Sequence, residues 1–216
     1  MPSTTRCADS PTEEASAAEP DRPEHPFSRT LPWILLIGGI VGAVASFVLT
    51  VEKFTLATDS SYIPSCSVSP VLNCGSVMAT PQAEVFGFPN SLLGIAGFAV
   101  VATIGAALLA NARFRQWFWH SLQLGVTAAV VFVHWLITQS LYSIGALCPY
   151  CMIVWAVTVP IFWYVTLRNL GQLRSSKRPA ILAVVLANHS VPLTFWALTI
   201  IGLITHRFWW YWSGLL

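Results

Sequence analysis

The chain has 216 residues, of which 55% are hydrophobic and only 9% are charged, and it contains ten Trp. This composition is far from that of a soluble globular protein and predicts an integral membrane protein. With a net charge of +2 and no basic cluster, nothing in the charge distribution suggests a nucleic-acid partner.

The N-terminal half contains a polar tail and two candidate membrane spans. Residues 1–30 are rich in Pro, Glu, Ala and Ser, a composition that predicts a disordered tail. Residues 31–51 form an uncharged run, which as a helix spans about 30 Å of hydrocarbon. A second uncharged run covers residues 85–112, and its helix is predicted to begin at Pro89 or Asn90.

Three further spans are predicted in the C-terminal half. Residues 116–167 lack Asp, Glu, Lys and Arg, and this length predicts a helical hairpin that turns within TQSLYSIGALCP. A fifth candidate covers residues 179–205, where Pro192 is expected to kink the helix because it lacks a backbone N–H. The expected fold is an all-α integral membrane protein, with four helices over 31–167 and a fifth transmembrane helix within 179–216.

The basic residues predict the orientation of these spans. Nine of the eleven Lys and Arg fall in the N-terminal tail, around Arg113, and in the loop 168–178, which five crossings place on one side. By the positive-inside rule this side is cytoplasmic, so the outer loop 52–87, the CPYC turn and the aromatic C-terminus face outward. We therefore expect a multi-pass protein of the inner (plasma) membrane with a cytoplasmic N-terminus.

The predicted topology sorts the five cysteines. Cys7 lies alone in the cytoplasmic tail, where an incidental reduced thiol is expected. Cys66, Cys74, Cys148 and Cys151 all lie on the outer side, where thiols meet an oxidising environment. The predicted topology therefore places two cysteine pairs on the same face of the membrane.

The second pair opens a predicted helix. Pro149 is favoured at the first helical position and biases Cys148 away from helical dihedral angles, so Cys148 becomes the cap and Cys151 lies one turn inside. The helix dipole lowers the pKa of a thiol at this end and favours the thiolate. Cys148 is therefore the predicted exchangeable sulfur, and Cys151 the one deeper in the membrane.

The first pair, Cys66 and Cys74 in CSVSPVLNC, leaves two interpretations open. A structural disulfide would staple a loop that lacks a core of its own. A redox-active pair would instead exchange with the second pair, which lies on the same membrane face. A zinc site is disfavoured, because the spacings do not match the two close pairs of a zinc ribbon and outer thiols are usually oxidised.

The segment CSVSPVLNCGSVMATPQAEVFGFPNSLLG, followed further along by CPYC at the start of a membrane helix, resembles the vitamin K epoxide reductase family, in particular its bacterial branch. The resemblance covers residues 31–167. It implies a four-helix bundle around a quinone of the menaquinone, ubiquinone or vitamin K type, at the outer end of the membrane. It also implies that the protein reoxidises an extracytoplasmic, thioredoxin-like disulfide-forming protein and so supports disulfide bond formation.

The resemblance implies a role for each outer cysteine. Cys66 corresponds to the loop cysteine that meets the thiol partner, and Cys74 to the one that passes the disulfide to Cys148. Cys151 corresponds to the cysteine adjacent to the quinone ring.

Three further residues fall at positions that the family uses around its quinone. Thr80 stands at the family's loop Ser/Thr position, and Asn90 at the asparagine that hydrogen-bonds a quinone oxygen, although Asn90 can also act as a helix cap. Trp155 stands where vertebrate members carry a tyrosine bonded to the other quinone oxygen, so an indole donor or an apolar contact takes its place. The thioredoxin-like domain that is fused in many bacterial members has no counterpart after Leu167, so a separate partner protein is expected.

Two rival interpretations remain. A DsbB-type quinone oxidase performs the same chemistry on a different bundle, but its CxxC pair would lie in the first outer loop, whereas here the pair opens the fourth helix. A non-catalytic membrane protein with a disulfide-stapled outer loop is the alternative from another class. Thiol trapping separates a relay from a staple, because only a relay gives mixed disulfides between the two pairs.

Overall fold

The computed structural model describes residues 29–59, 61–172 and 188–214, and within these ranges the chain is almost entirely helical. The predicted tail up to residue 28, with Cys7, lies outside the described residues. The helices, in chain order, are α1 (Thr30–Thr58), α2 (Cys74–Met78), α3 (Asn90–Leu109), α4 (Gln116–Thr138), α5 (Pro149–Gln172), α6 (Val191–Arg207) and α7 (Trp209–Ser213). A 3₁₀ turn covers Pro81–Glu84, and a π-helical turn, Gln139–Ile144, follows α4.

Within the described ranges, four stretches of helix are long and apolar enough to cross a membrane: α1, α3, α5 and the continuous stretch Gln116–Ile144. The predicted all-α, multi-pass membrane fold is therefore confirmed. α3 begins at Asn90 and α5 at Pro149, both as predicted. The apolar helix α6, with 17 residues, covers the second part of the predicted fifth span, whose first residues, 179–187, lie outside the described ranges.

α1 is longer than its apolar run. The run ends at Val51, but the helix continues to Thr58, into the predicted outer loop. The two charged residues that follow the run, Glu52 and Lys53, bond to groups of the outer loop. Because the loop satisfies these charges, the helix does not need to end where they begin.

The end of α5 and the start of α6 also differ from the prediction. α5 continues past Leu167 to Gln172, and the guanidinium of Arg168 lies 3.4 Å from the centroid of the Trp119 ring. Pro192 does not kink a continuing helix but lies in the first turn of α6. A missing N–H costs little there, because the first N–H groups of a helix have no partner within it.

α1 packs against both α3 and α5, and α4 packs against α5. The contact between α1 and α3 requires glycine: a Cβ at Gly39 would lie 2.5 Å from the backbone nitrogen of Ala102, and one at Gly105 would overlap the backbone of Leu36. Small residues allow membrane helices to approach this closely. α3 and α4 make few contacts with each other.

Candidate active site

A short parallel bridge joins two loop segments that are far apart in sequence. The backbone N–H of Asn73 donates to the carbonyl of Leu147 (2.9 Å), and the N–H of Leu147 donates to the carbonyl of Val71 (2.7 Å). Leu72 is thereby paired with Leu147. Each bridged segment leads directly into a helix that begins with a cysteine or just after one, so the bridge sets the register between the start of α2 and the start of α5.

Three sulfur atoms meet at these two helix starts. Cys66 and Cys74 form a disulfide, and the Sγ of Cys148 lies 3.1 Å from the Sγ of Cys74. All three sulfurs lie within 4.8 Å of one another. Cys66 is 6% exposed, whereas Cys74 and Cys148 are fully buried, so solvent reaches this cluster through Cys66.

Local capping holds both helix starts. Cys74 is the first residue of α2, and the side chain of Asn73 accepts the N–H of Ser76 (3.0 Å) as its N-cap. Cys148 directly precedes α5, and its carbonyl accepts the N–H of Met152 (3.0 Å). Cys148 therefore occupies the predicted cap position, with its sulfur at the positive end of a long helix.

The surroundings of Cys148 favour its thiolate. A hydrogen bond with the Cys151 side chain, supported by the backbone N–H groups of Cys151 and Tyr150, lowers the pKa of Cys148. Burial and the negative charge of Glu52 act in the opposite direction. Since the thiolate is the attacking species in disulfide exchange, Cys148 is chemically suited to react with the disulfide that it touches.

Cys151 lies one turn inside α5, as predicted, and is half-buried. It packs against an apolar cluster that contains Cys66, Cys74 and Cys148 together with Leu49 and Met78. The four cysteines named from the sequence therefore converge on one place in the fold.

A buried carboxylate that the sequence analysis did not identify lies close to these cysteines. Glu52, near the C-terminal end of α1, is 6% exposed. It accepts hydrogen bonds from the hydroxyl of Tyr62 (3.0 Å) and from the N–H and hydroxyl of Ser65. The sequence does carry one signal for it: the stretch VEKFTLAT contains no Gly or Pro, so α1 was free to continue beyond the apolar run.

Asn90 and Thr80 bond to the chain between α2 and α3. Asn90 Nδ2 donates to the carbonyl of Gln82 (2.7 Å), and its Oδ1 accepts the N–H of Val85 (3.2 Å). The hydroxyl of Thr80 donates to the carbonyl of Val77 (2.8 Å). The Asn90 side chain thus stabilises the chain at the start of α3. One of its two amide hydrogens remains available for a ligand.

Trp155 lies in a second apolar cluster, against which Cys151 also packs. It is almost fully buried and packs in a cluster that includes Val71, Leu147 and Phe208. Val71 and Leu147 belong to the parallel bridge, so this cluster supports the bridge. The surroundings of Trp155 are therefore those of a packing residue.

Aromatic and amide side chains lie near the start of α3. The ring of Phe86 lies 5.9 Å from the ring of Phe132 on α4, and Gln82 donates to Gln139 (3.4 Å). Asn90 stands at the start of α3, and a ligand carbonyl would satisfy its remaining amide hydrogen in mainly apolar surroundings. An amide donor beside aromatic rings is chemically compatible with a quinone.

A separate cavity of about 390 Å³ lies between α5 and α6. Its lining is mostly apolar and includes Ala156, Pro160 and Trp196, but none of the residues named from the sequence as site residues. It therefore does not coincide with the position predicted for the quinone.

The three clustered sulfurs could also be considered as metal ligands. Zinc is bound by thiolates and normally has four ligands. Two of these sulfurs share a disulfide and cannot bind as thiolates, which leaves Cys148 alone. With Cys66 and Cys74 joined in a disulfide, the three cysteines are therefore suited to thiol–disulfide exchange and not to metal binding.

Residues 33–166 match the Vitamin K epoxide reductase family. The match covers more than half of the chain and includes Cys66, Cys74, Cys148 and Cys151. No curated protein gives a match. The chain therefore belongs to the vitamin K epoxide reductase family, as its resemblance predicted, and family membership makes it a membrane thiol–disulfide oxidoreductase.

Proposed function

We propose that this member of the family is a quinone-dependent thiol oxidase of the inner (plasma) membrane. It takes electrons from a separate, extracytoplasmic thioredoxin-like protein, passes them through its two cysteine pairs, and delivers them to a membrane quinone. In this way it supports the formation of disulfide bonds outside the cytoplasm, with its active site on the outer side and its N-terminus in the cytoplasm.

The observation that carries this proposal is the 3.1 Å contact between Cys148 and the sulfur of Cys74. A structural disulfide needs only two sulfurs. A third sulfur in contact with the bond can attack it, so the bond can take part in thiol–disulfide exchange. When the Cys148 thiolate attacks Cys74, the Cys74–Cys148 bond forms, the Cys66–Cys74 bond breaks, and Cys66 leaves with the electron pair. In the oxidative direction the same steps run in reverse and carry electrons toward Cys148 and Cys151.

The outer loop offers a surface for the thiol partner. Cys66 is the least buried of the three clustered sulfurs, so the partner's thiolate attacks there most easily. Ile63 and Val68, on either side of Cys66, are both exposed apolar residues. They provide apolar contacts for a protein that docks over this disulfide.

The second pair hands the electrons to the quinone. A protein that donates disulfides is itself strongly oxidising, about −120 mV for the strong bacterial oxidant, so the relay needs a still stronger electron sink. A bound quinone supplies that sink as an acceptor of two electrons and two protons. Cys151 is the cysteine that faces this acceptor in our proposal, Asn90 donates to one of its oxygens, and Trp155 and Thr80 support the site by packing and by holding the loop.

Reconstitution tests this proposal. The purified protein is mixed with a reduced thioredoxin-like protein and a defined quinone, and quinol is followed by absorbance. Cys148→Ala and Cys151→Ala are expected to abolish quinol formation, because electrons must pass through both sulfurs, whereas the matched control Cys7→Ala keeps full activity. Full activity in either of the first two variants would end the relay proposal. Reduction of vitamin K epoxide by added thiols, with no oxidation of the partner by quinone, would reverse the proposed direction.

A further inference from the structure

The carboxylate of Glu52 is buried near the edge of the predicted membrane span, and among the described residues no basic side chain forms an ion pair with it. The adjacent Lys53 pairs instead with Glu84, at 3.0 Å. Burying a carboxylate is costly unless hydrogen bonds replace its water. Here Tyr62 and Ser65 supply those bonds, with three donor groups between them.

These donors all belong to the chain that leads into Cys66. Ser65 is bonded to Glu52 through both its N–H and its hydroxyl, and the next residue is Cys66. On the other side of the disulfide, Cys74 follows the bridge between Leu72 and Leu147. The disulfide is thus held between two attachments, one to α1 through Glu52 and one to α5 through the bridge.

We propose that Glu52 is a positioning residue for exchange between the Cys66–Cys74 disulfide and Cys148. By fixing Ser65 it holds Cys66 in place, so that the bond to Cys74 stays in contact with the Cys148 sulfur and is shielded from thiols in solution. This inference deepens the proposed relay and rests on it. Glu52 itself exchanges no proton or electron in the step.

The proposal follows from the geometry that exchange requires. The attacking sulfur must approach along the axis of the bond that breaks, so all three sulfurs must be held together. In the step, Cys148 reacts as the thiolate, the Cys74–Cys148 bond forms, the Cys66–Cys74 bond breaks, and Cys66 leaves as a thiolate that solvent protonates. The charge of Glu52 also disfavours the Cys148 thiolate, so its benefit to exchange lies in position and not in activation.

Internal exchange is measured in a Cys151→Ala background, where the Cys74–Cys148 bridge cannot be resolved by Cys151. Starting from the protein with its loop disulfide, N-ethylmaleimide caps Cys66 as it is released, and mass spectrometry quantifies the bridge. Glu52→Ala is expected to slow bridge formation about tenfold, as loss of hydrogen bonds to a charged group implies. Glu52→Gln, which keeps an acceptor but loses the charge, is expected to fall between Ala and the parent protein.

A second measurement uses a small thiol in place of the partner. Reduction of Cys66–Cys74 by dithiothreitol is expected to become faster in Glu52→Ala, because the released loop exposes Cys66. Asp59→Ala is the matched control: Asp59 is also an acidic residue bonded to a loop serine, Ser61, but it is exposed. In Asp59→Ala, the rate of Cys74–Cys148 bridge formation and the rate of reduction by dithiothreitol are both expected to equal those of the parent protein.

Unchanged rates in Glu52→Ala would overturn the proposal, as would equal effects of Glu52→Ala and Asp59→Ala. If Glu52→Ala does not fold, Tyr62→Phe combined with Ser65→Ala removes the side-chain donors and leaves the carboxylate in place. That double variant must then show slower exchange with Cys148 and faster reduction by dithiothreitol, or the proposal is wrong. Neither measurement needs a partner protein or a quinone, so failure of the proposed function would be seen separately in the reconstitution.

Discussion

At the scale of single residues, Cys148 depends on its neighbour Cys151 for its reactivity. The Cys151 side chain lowers the pKa of Cys148, and the thiolate is the reactive form. We therefore expect bridge formation between Cys74 and Cys148 to reach half its maximal rate at a lower pH in Cys151→Ser than in Cys151→Ala, because only Ser keeps a donor for the thiolate. Above both pKa values the two rates should be equal. Identical pH profiles for the two variants would show that Cys151 does not act on Cys148 through this hydrogen bond.

Asn90 and Trp155 differ in what surrounds them, and this difference predicts different effects on quinone affinity. Asn90→Ala leaves a quinone oxygen unpaired and is expected to cost about 1 to 3 kcal/mol, or about one to two decades in apparent affinity. Trp155→Phe keeps an aromatic ring within the cluster of Val71 and Leu147 and should change the affinity little. The measurement is the dependence of turnover on quinone concentration.

The Asn90 side chain also forms hydrogen bonds within the protein, so a second measurement must separate loss of quinone binding from loss of loop structure. Because its side chain bonds to Gln82 and Val85, Asn90→Ala also removes a brace from the loop. Exchange with the thiol partner, measured without quinone, should continue in this variant. Turnover in Asn90→Ala could keep the same dependence on quinone concentration while thiol–disulfide exchange with the partner is impaired. In that case Asn90 only stabilises the loop, and the quinone does not lie at the start of α3.

At the scale of whole helices, α6 supports the cluster beneath the bridge. Arg207 at its end donates through Nε to the carbonyl of Leu141 in the π turn (2.8 Å), and the next residue, Phe208, is 2% exposed within the cluster of Val71 and Leu147. The end of α6 and the residue that follows it are therefore part of the scaffold of the sulfur cluster.

Removal of the Phe208 ring is expected to destabilise this scaffold. Phe208→Ala should lower the free energy of unfolding by about 3 kcal/mol, because it leaves a cavity in a packed cluster. It should also slow exchange between Cys74 and Cys148, since the bridge loses its support. Phe195→Ala is the matched control, because Phe195 on α6 is 72% exposed. Thermal unfolding in detergent measures the difference, and equal stabilities of the two variants would contradict this role of α6.

At the scale of the molecule, the distribution of basic residues predicts which face meets which compartment. We expect a membrane-impermeant maleimide, applied to intact cells, to label Asp59→Cys in the outer loop, because Asp59 is exposed at the end of α1. Cys7 should be labelled only after the membrane is permeabilised. Mass spectrometry of the labelled peptides identifies each site, and labelling of Cys7 in intact cells would reverse the proposed orientation.

Short-range features of the sequence were sufficient for much of the fold. The uncharged runs predicted the membrane helices, because a helix must satisfy its backbone groups internally in lipid and needs a certain length of apolar residues to cross it. Pro149 and Asn90 predicted the starts of α5 and α3, because capping depends on residues within one turn. The position of Cys148 as a cap, with Cys151 one turn inside, followed from the same local rules.

Only the tertiary structure decided how these parts meet. The bridge between Leu72 and Leu147 joins segments from different helix connections, and its register places Cys74 on Cys148. No local rule predicts such a register, because it depends on how α1 packs against α5. The same holds for Glu52, which looked like the end of a membrane span. Its carboxylate is buried because the folded loop supplies its hydrogen bonds, and those donors are 10 and 13 residues away along the chain.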